Sequence, residues 1–368
     1  MRARVLAASL VLVLLLGGTA VVLWLWGPNW SQLASNFNSV SWRWVAVALG
    51  LNLLSIVARG LAWKTVIDQA VEPPPPGFRA VISAFSIGLF ANAVLPGRIG
   101  EVARVAVLAR RAGKRKGVWA TLLGTVFAHR VFDLFPVLGL VAFVLVTANL
   151  PQWAMRTVEL FMIVGLALFV LAFLSARRRG HLPLDGLGPV RRLIAMARQG
   201  LGVMHTPLAA VIAVAFQFIG WALQLLAVYT AMRAFDIHAP LAAAAVVLLL
   251  MNVAILFPLW PGNVGLYQAA VAAPLLTYGV ATTHGVAFGV GLQAIESSVG
   301  IGLGMIFLAR EGLSYAILKE MPEPGEVSLR SAPRRGWLRS KKRGWLRSKR
   351  RASERDRGRD SERDTNEA

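Results

Sequence analysis

The chain has 368 residues, 56% of them hydrophobic and 15% charged, with a formal net charge of +21 and a mean hydropathy of +0.60. Long stretches free of Asp, Glu, Lys and Arg exclude an ordinary soluble globule and predict a polytopic integral membrane protein. The basic residues lie between apolar segments and in the C-terminal region, as positive-inside orientation requires, which argues against a nucleic-acid partner, and the absence of cysteine removes disulfides and thiolate chemistry.

In chain order, Arg2 and Arg4 precede an uncharged run from Val5 to Trp26 that ends in tryptophans rather than a small-residue cleavage site. It reads as a retained first span, not a signal peptide. About 20 apolar residues are needed to cross roughly 30 Å of hydrocarbon, and further spans are expected at 44–63, 118–148, 158–176, 207–232 and 285–309. The apolar stretch from Ala80 to Gly97 is different, because the basic segment 101–117 follows it directly. If 64–79, 101–117, 177–206 and the C-terminal tail all face the cytoplasm, residues 80–112 must enter and leave on one side. Such a re-entrant hairpin needs protein or a water-filled cavity around it, since lipid cannot satisfy the amides freed at Pro96-Gly97.

A second break lies between Ala239 and Thr283, where no charged side chain occurs and "PLWPGNVGLYQAA" at 258–270 interrupts an overlong apolar run. Pro96-Gly97-x-x-Gly100 and Pro261-Gly262-x-x-Gly265 share one spacing, and loop charge puts the two hairpins on opposite faces, the pattern of inverted-topology repeats. The expected fold class is therefore an all-α polytopic integral membrane protein. It would have about six full transmembrane helices and two re-entrant helical hairpins in inverted-repeat arrangement, built from residues 1–315 in the cytoplasmic (inner) membrane with both termini cytoplasmic. From about Glu326 the composition turns to Arg, Lys, Ser, Asp and Glu, so 316–368 reads as a basic, disordered cytoplasmic tail. It repeats "RGWLRSK" at 335–341 and 343–349, a segment suited either to anionic headgroups or simply to reinforcing orientation.

The candidate site residues cluster at the two breaks. Proline at a first helical turn with glycine beside it suits a helix start inside the protein, where exposed amides and the dipole attract anions. Arg98 and Arg104, about two turns apart, are placed to flank a phosphate, with Glu101 holding Arg98; the group reads either as a lipid-phosphate clamp or as a salt-bridged helix start at the interface. Asn92, one turn before Pro96, is placed to satisfy freed backbone. Arg130 and Asp133 at i,i+3 inside a span should face the bundle interior and pair, as a helix clamp or a substrate contact. Arg59 near a span end reads as a snorkelling residue or a ligand contact. Gln268 and Gln293 read as bonds between helices or as substrate contacts. Glu296 stands alone at mid-depth, either protonated through desolvation or paired with an arginine from another helix, and is a candidate for proton coupling. The sequence contains no nucleophile–base constellation, Walker-type loop or metal-ligand pattern, so no catalytic residue, cofactor or metal is assigned.

"FANAVLPGRIGEVARVAVLARR", "HRVFDLFPVLGL" and "PGNVGLYQAA" resemble the lysylphosphatidylglycerol synthase transmembrane-region family, the flippase-like domain proteins, over about residues 5–315. Its most specific feature maps onto Leu95, Pro96, Gly97, Gly100, Glu101 and Arg104, its Arg-x-x-Asp pair onto Arg130 and Asp133, and its second Pro-Gly motif onto Pro261, Gly262 and Gly265. In fused members this region accompanies a cytoplasmic aminoacyl-transferase domain and is associated with moving the modified phospholipid to the outer leaflet. The resemblance implies here the translocation half without the synthase half. Gln268 and Glu296 stand where many relatives carry Glu and Arg, which moves an intramembrane acid from hairpin to helix and weakens the case for a lysyl-lipid substrate.

The expected function is a flippase-like translocase that binds an anionic phospholipid or polyprenyl-phosphate-linked headgroup at the two Pro-Gly motifs. The alternatives are a membrane transferase, or the membrane subunit of a lipid- or glycan-modifying synthase, and a scaffold recruiting a cytoplasmic or membrane synthase through its basic tail. Deletion of 327–368 separates them: transport of a labelled lipid in vesicles is expected to be little changed for a self-contained translocase and lost for a tail-dependent scaffold.

Overall fold

The computed structural model describes residues 30–94, 99–111, 118–148, 206–256 and 263–311, with scattered helical positions between 156 and 170. The expected span at 5–26 and the tail at 316–368 lie outside these residues, as does most of the span at 158–176. Nine α-helices have described bounds: α1 (Trp30–Asn38), α2 (Trp42–Ala70), α3 (Phe78–Val94), α4 (Gly100–Arg111), α5 (Val118–Thr147), α6 (Pro207–Ala234), α7 (Leu241–Leu256), α8 (Leu266–Leu275) and α9 (Thr282–Arg310). Among the described residues there is no strand, and α2, 121–147 of α5, α6 and α9 are long and apolar enough to cross a membrane. The protein is an all-α, multi-pass membrane protein. The outward faces of the long helices carry Leu53, Leu54, Val57, Val211, Phe218, Ile219, Met305 and Ile306 exposed, the surface that lipid rather than water tolerates.

The helices fall into two sets with one offset. A long helix, two short ones and another long one run as α2–α3–α4–α5 and again as α6–α7–α8–α9. Ser55 Oγ donates to the Gly220 carbonyl over 2.8 Å and Arg59 donates to Gln224, and both pairs are separated by 165 residues. The same separation relates Pro96 to Pro261, Gly97 to Gly262 and Gly100 to Gly265.

α2 and α6 run antiparallel: the Ser41 amide meets the Ala234 carbonyl at 2.9 Å at one end, and Thr206 meets Gln69 at 3.4 Å at the other. Two antiparallel helices that touch through repeat-equivalent residues are related by a two-fold axis at that contact. Ser55/Gly220 and Arg59/Gln224 therefore mark a pseudo-two-fold axis at the middle of the bundle, which makes the two sets inverted repeats.

Each short pair forms a helical hairpin, and the hairpins begin at opposite ends of the α2–α6 pair because each follows one of these helices. At about 1.5 Å per residue, α3 and α4 are roughly 25 and 18 Å long and α7 and α8 roughly 24 and 15 Å, against about 43 Å for α2. Both arms of the first hairpin are anchored at the C-terminal end of α9, where Glu311 takes hydrogen bonds from Ser83 of α3 (2.6 Å) and Arg111 of α4 (Nε, 3.1 Å). The start of α4 is level with the middle of α5, where Arg130 bonds Glu101, and the start of α8 with the middle of α9, where Tyr267 bonds Glu296 at 3.0 Å. Both α4 and α8 therefore start near mid-bundle.

Two equivalent glycines close these hairpins for different reasons. A Cβ on Gly100 would lie 2.0 Å from the Gly88 carbonyl and 2.6 Å from Asn92, so α4 starts against the backbone of α3 only without a side chain. Gly265 has open space around it but a φ of 91°, a conformation costly to any L side chain. Gly100→Ala is expected to lower the thermal unfolding midpoint in detergent through overpacking, at about 1–3 kcal/mol. Gly265→Ala is expected to cost about 1–2 kcal/mol through backbone strain. Gly265→Asn should recover part of that loss, whereas Gly100→Asn should not.

Candidate functional site

The hairpin starts bring the predicted residues together. In the first, Asn92 Oδ1 accepts the Gly100 amide at 2.8 Å, the backbone role expected for it. Glu101, in the first turn of α4, takes Arg104 from its own helix and Arg130 from α5. The sequence suggested that Glu101 would hold Arg98. Among the described residues Glu101 holds two other guanidiniums; Pro96, Gly97 and Arg98 lie outside those residues, as do Pro261 and Gly262.

Arg104 is buried to 3% exposure, its guanidinium 4.8 Å from the Trp63 ring centroid and 5.7 Å from that of Phe85, so aromatic faces replace the water it has lost. The expected pair within α5 forms: Arg130 Nη1 donates to Asp133 Oδ2 at 3.2 Å. The Arg130 side chain remains 46% exposed and is the open edge of the cluster. Asp133 Oδ1 accepts Trp221 Nε1 from α6 at 3.1 Å, and His129 lies 4.0 Å from Oδ2. The His129 ring also sits 3.2 Å from the Arg59 carbonyl and 3.2 Å from Gln217 Nε2, so it ties α5 to α2 and α6. Two arginines and two carboxylates thus form a charge-balanced quartet, as a low-dielectric interior demands.

The second hairpin builds a neutral counterpart. Gln268 Oε1 accepts the Gly265 amide at 2.6 Å, closing the first turn of α8, while its Nε2 donates to Gln293 of α9 at 2.6 Å. Gln268 and Gln293 thus form the bond between helices that was one of their two readings. Glu296 has no direct arginine partner among the described residues: Tyr267 donates to Oε2 at 3.0 Å and Gln224 to Oε1 at 3.3 Å. An arginine reaches it at one remove, since Arg59 donates to the same Gln224. Asn263 Nδ2 donates to the Ala254 carbonyl at 3.0 Å and pins the turn to the end of α7.

Arg59 joins the two halves. It does not snorkel to a helix end but lies inward across α6, with its guanidinium 4.9 Å from the Trp221 ring centroid, in space left by Gly220, where a Cβ would fall 2.8 Å from Arg59 Cγ. Trp221 bonds Asp133 on one side, and Gln224 bonds Glu296 on the other. A continuous polar path therefore runs from Arg104 through Glu101, Arg130, Asp133, Trp221, Arg59 and Gln224 to Glu296 and Tyr267, with the N-terminal turns of α4 and α8 at its ends. Gln224, Trp221 and Gln217 carry no motif, and Tyr267 and His129 lie inside the quoted motifs with no role assigned from sequence. Arg59 and Gln224 are detectable in sequence only as polar residues at equivalent depths of two apolar spans.

The sequence profile of the lysylphosphatidylglycerol synthase TM region matches residues 5–304, which includes every residue of this network. The chain belongs to that family. It is also similar to a UPF0104 membrane protein of Pyrococcus horikoshii, 26% identical over 127 residues, covering 34% of this chain and 37% of that relative. The chain thus spans little more than a third of the curated relative it matches. No solved structure matches this member of the family.

The quartet is expected to govern stability. Glu101→Gln leaves Arg104 and Arg130 short of a carboxylate and should cost about 3–5 kcal/mol, read as a large drop in unfolding midpoint. Glu101→Gln combined with Arg104→Met, which removes the buried charge as well, should recover much of that loss.

Proposed function

We propose that this protein is a lipid translocase that takes an anionic, phosphate-bearing headgroup between its two hairpins and carries it across the bilayer. The observation that supports this reading best is the meeting of two half-length hairpins, begun at opposite ends of the bundle, at one polar network in its middle. In a membrane, hairpins of this length are re-entrant, and each gives a headgroup a polar route through half the thickness. Arg130 is the exposed cation of the network and the group a phosphate reaches first. Helix starts at Gly100 and Gly265 add the positive ends of two helix dipoles at the same level. A network ringed by apolar helix faces leaves the acyl chains in lipid, so the protein handles the headgroup alone. The family's name links the region to lysylphosphatidylglycerol, an amino-acid-modified phospholipid; the reading keeps the phosphate and leaves the attached group open.

The chain has no cysteine, so single-cysteine labelling has no background. Cysteines at Phe78 and Arg111 are expected to react with an impermeant reagent from one compartment, and cysteines at Leu241 and Thr277 from the other. Vesicles containing the purified protein are expected to expose fluorescently labelled phosphatidylglycerol from the inner leaflet to dithionite well above the rate of protein-free vesicles. Equal rates, or chemical conversion of the lipid without movement, would overturn the translocase reading.

A further inference from the structure

Every cation of the network except one has a carboxylate. Arg104 and Arg130 share Glu101, and Arg130 also holds Asp133. Arg59 has no carboxylate within ion-pair distance among the described residues. Its guanidinium donates to a neutral amide, Gln224, and faces the neutral ring of Trp221, and its Nε is buried without a hydrogen-bond partner. Both nearby acids are engaged elsewhere, Asp133 by Trp221 and Arg130, and Glu296 by Tyr267 and Gln224. Arginine stays charged at any physiological pH, so a guanidinium at mid-bundle that feels Asp133 and Glu296 only from beyond ion-pair distance is held at a cost. A bound anion removes that cost.

The position of Arg59 says what kind of site this is. It stands with its repeat equivalent Gln224 on the pseudo-two-fold axis, at the one level of the bundle equally distant from both hairpin entrances. The quartet is off-axis and has no charged equivalent in the second repeat, where Leu266, Ala269, Ile295 and Ser298 stand for Glu101, Arg104, Arg130 and Asp133. A ligand passing from one half to the other meets a single cation common to both routes, and Gln224 beside it supplies amide donors.

We infer that Arg59 and Gln224 form an axial anion site that binds the phosphate group of the translocated molecule midway between the hairpins. The inference takes the source of that phosphate, a lipid headgroup, from the translocase reading; the anion site itself rests on a guanidinium with no direct carboxylate and an unbonded Nε. Because the two residues are equivalent about the axis, the guanidinium works from either position. Exchanging them returns the charge to nearly the same point.

The test uses the full-length protein and the variants Arg59→Gln, Arg59→Lys and the exchange Arg59→Gln/Gln224→Arg. Thermal unfolding in detergent is measured without additive, with phosphatidylglycerol, with phosphatidylcholine and with inorganic phosphate. Phosphatidylglycerol is expected to raise the wild-type midpoint more than phosphatidylcholine does. The apparent affinity for it should fall about ten- to a hundredfold in Arg59→Gln, the loss of a charge-assisted hydrogen bond, and return to within a few-fold in the exchange variant. Arg59→Lys should fall between, keeping the charge but not the fork. Without additive, the Arg59→Gln midpoint should equal or exceed that of the wild type, since an uncompensated charge has been removed; a lower midpoint would mark Arg59 as structural and overturn the site. Unaltered lipid affinity in Arg59→Gln, failure of the folded exchange variant to regain it, or no stabilisation of the wild type by phosphatidylglycerol or phosphate would each overturn it too. Stabilisation by inorganic phosphate alone would keep the anion site and remove the lipid. If phosphatidylglycerol binds through Arg59 but is not moved in vesicles, the translocase reading fails and the site stands; if Arg59→Gln moves lipid at the wild-type rate, the site fails and the translocase reading stands.

Discussion

α2 and α6 cross where Ser55 donates to the Gly220 carbonyl, and the placement of the polar residues follows from that crossing. Gly220 lets the helices come close and leaves room for the Arg59 side chain to lie along α6. Because the helices are antiparallel and touch through equivalent residues, the hairpins that follow them must start at opposite ends and approach the same level. A bulkier residue at 220 would push Arg59 out of line and separate Gln224 from it, and with them the two halves of the network.

Within that frame the repeats have kept their backbone plan and divided their chemistry. Helix bounds agree to within a few residues after the 165-residue shift. Yet the first repeat carries Glu101, Arg104, Arg130 and Asp133, while the second carries Glu296 and a set of amides around Tyr267. The quartet of the first half offsets its charges with internal ion pairs, which a dry interior requires; the second half satisfies its polar groups with shared hydrogen bonds. Even the shared glycine answers to different needs, close approach at Gly100 and a positive φ at Gly265. Asn92 and Gln268 perform the same service at the two breaks, each accepting the glycine amide that would otherwise be stranded, one from the preceding helix and one from the third position of the new helix.

The half-length hairpins also explain why the polar groups are tolerated. A helix start at mid-bundle exposes amides where lipid offers no acceptor, so it survives only if side chains supply the partners and neighbouring helices shut lipid out. α5 and α9 do both, lining the hairpin starts with Arg130 and Asp133 on one side and Gln293 and Glu296 on the other. The arrangement is stable because its groups satisfy one another. Arg130 stays accessible and Arg59 stays without a direct carboxylate among the described residues, the two features on which the proposed ligand binding rests.

The sequence by itself determined a great deal. Apolar runs set α5, α6 and α9 to within a few residues and the start of α2, whose helix continues past residue 63 to Ala70; Pro-Gly breaks located both hairpins, and i,i+3 spacing paired Arg130 with Asp133, since all three are properties of consecutive residues in a helix. It left open what depends on a neighbour from elsewhere in the chain. Helical periodicity says which residues share a face, but not which helix comes to that face, so Glu101 found Arg130 across 29 residues and Arg59 found Gln224 across 165. The inward turn of Arg59 was decided by a glycine on another helix, and the partners of Glu296 by a hairpin and a span that meet it only once the bundle is assembled. Membrane partition is a local sum over residues and can be read along the chain; compensation of a buried charge is a meeting of distant residues, and only the packed bundle brings them together.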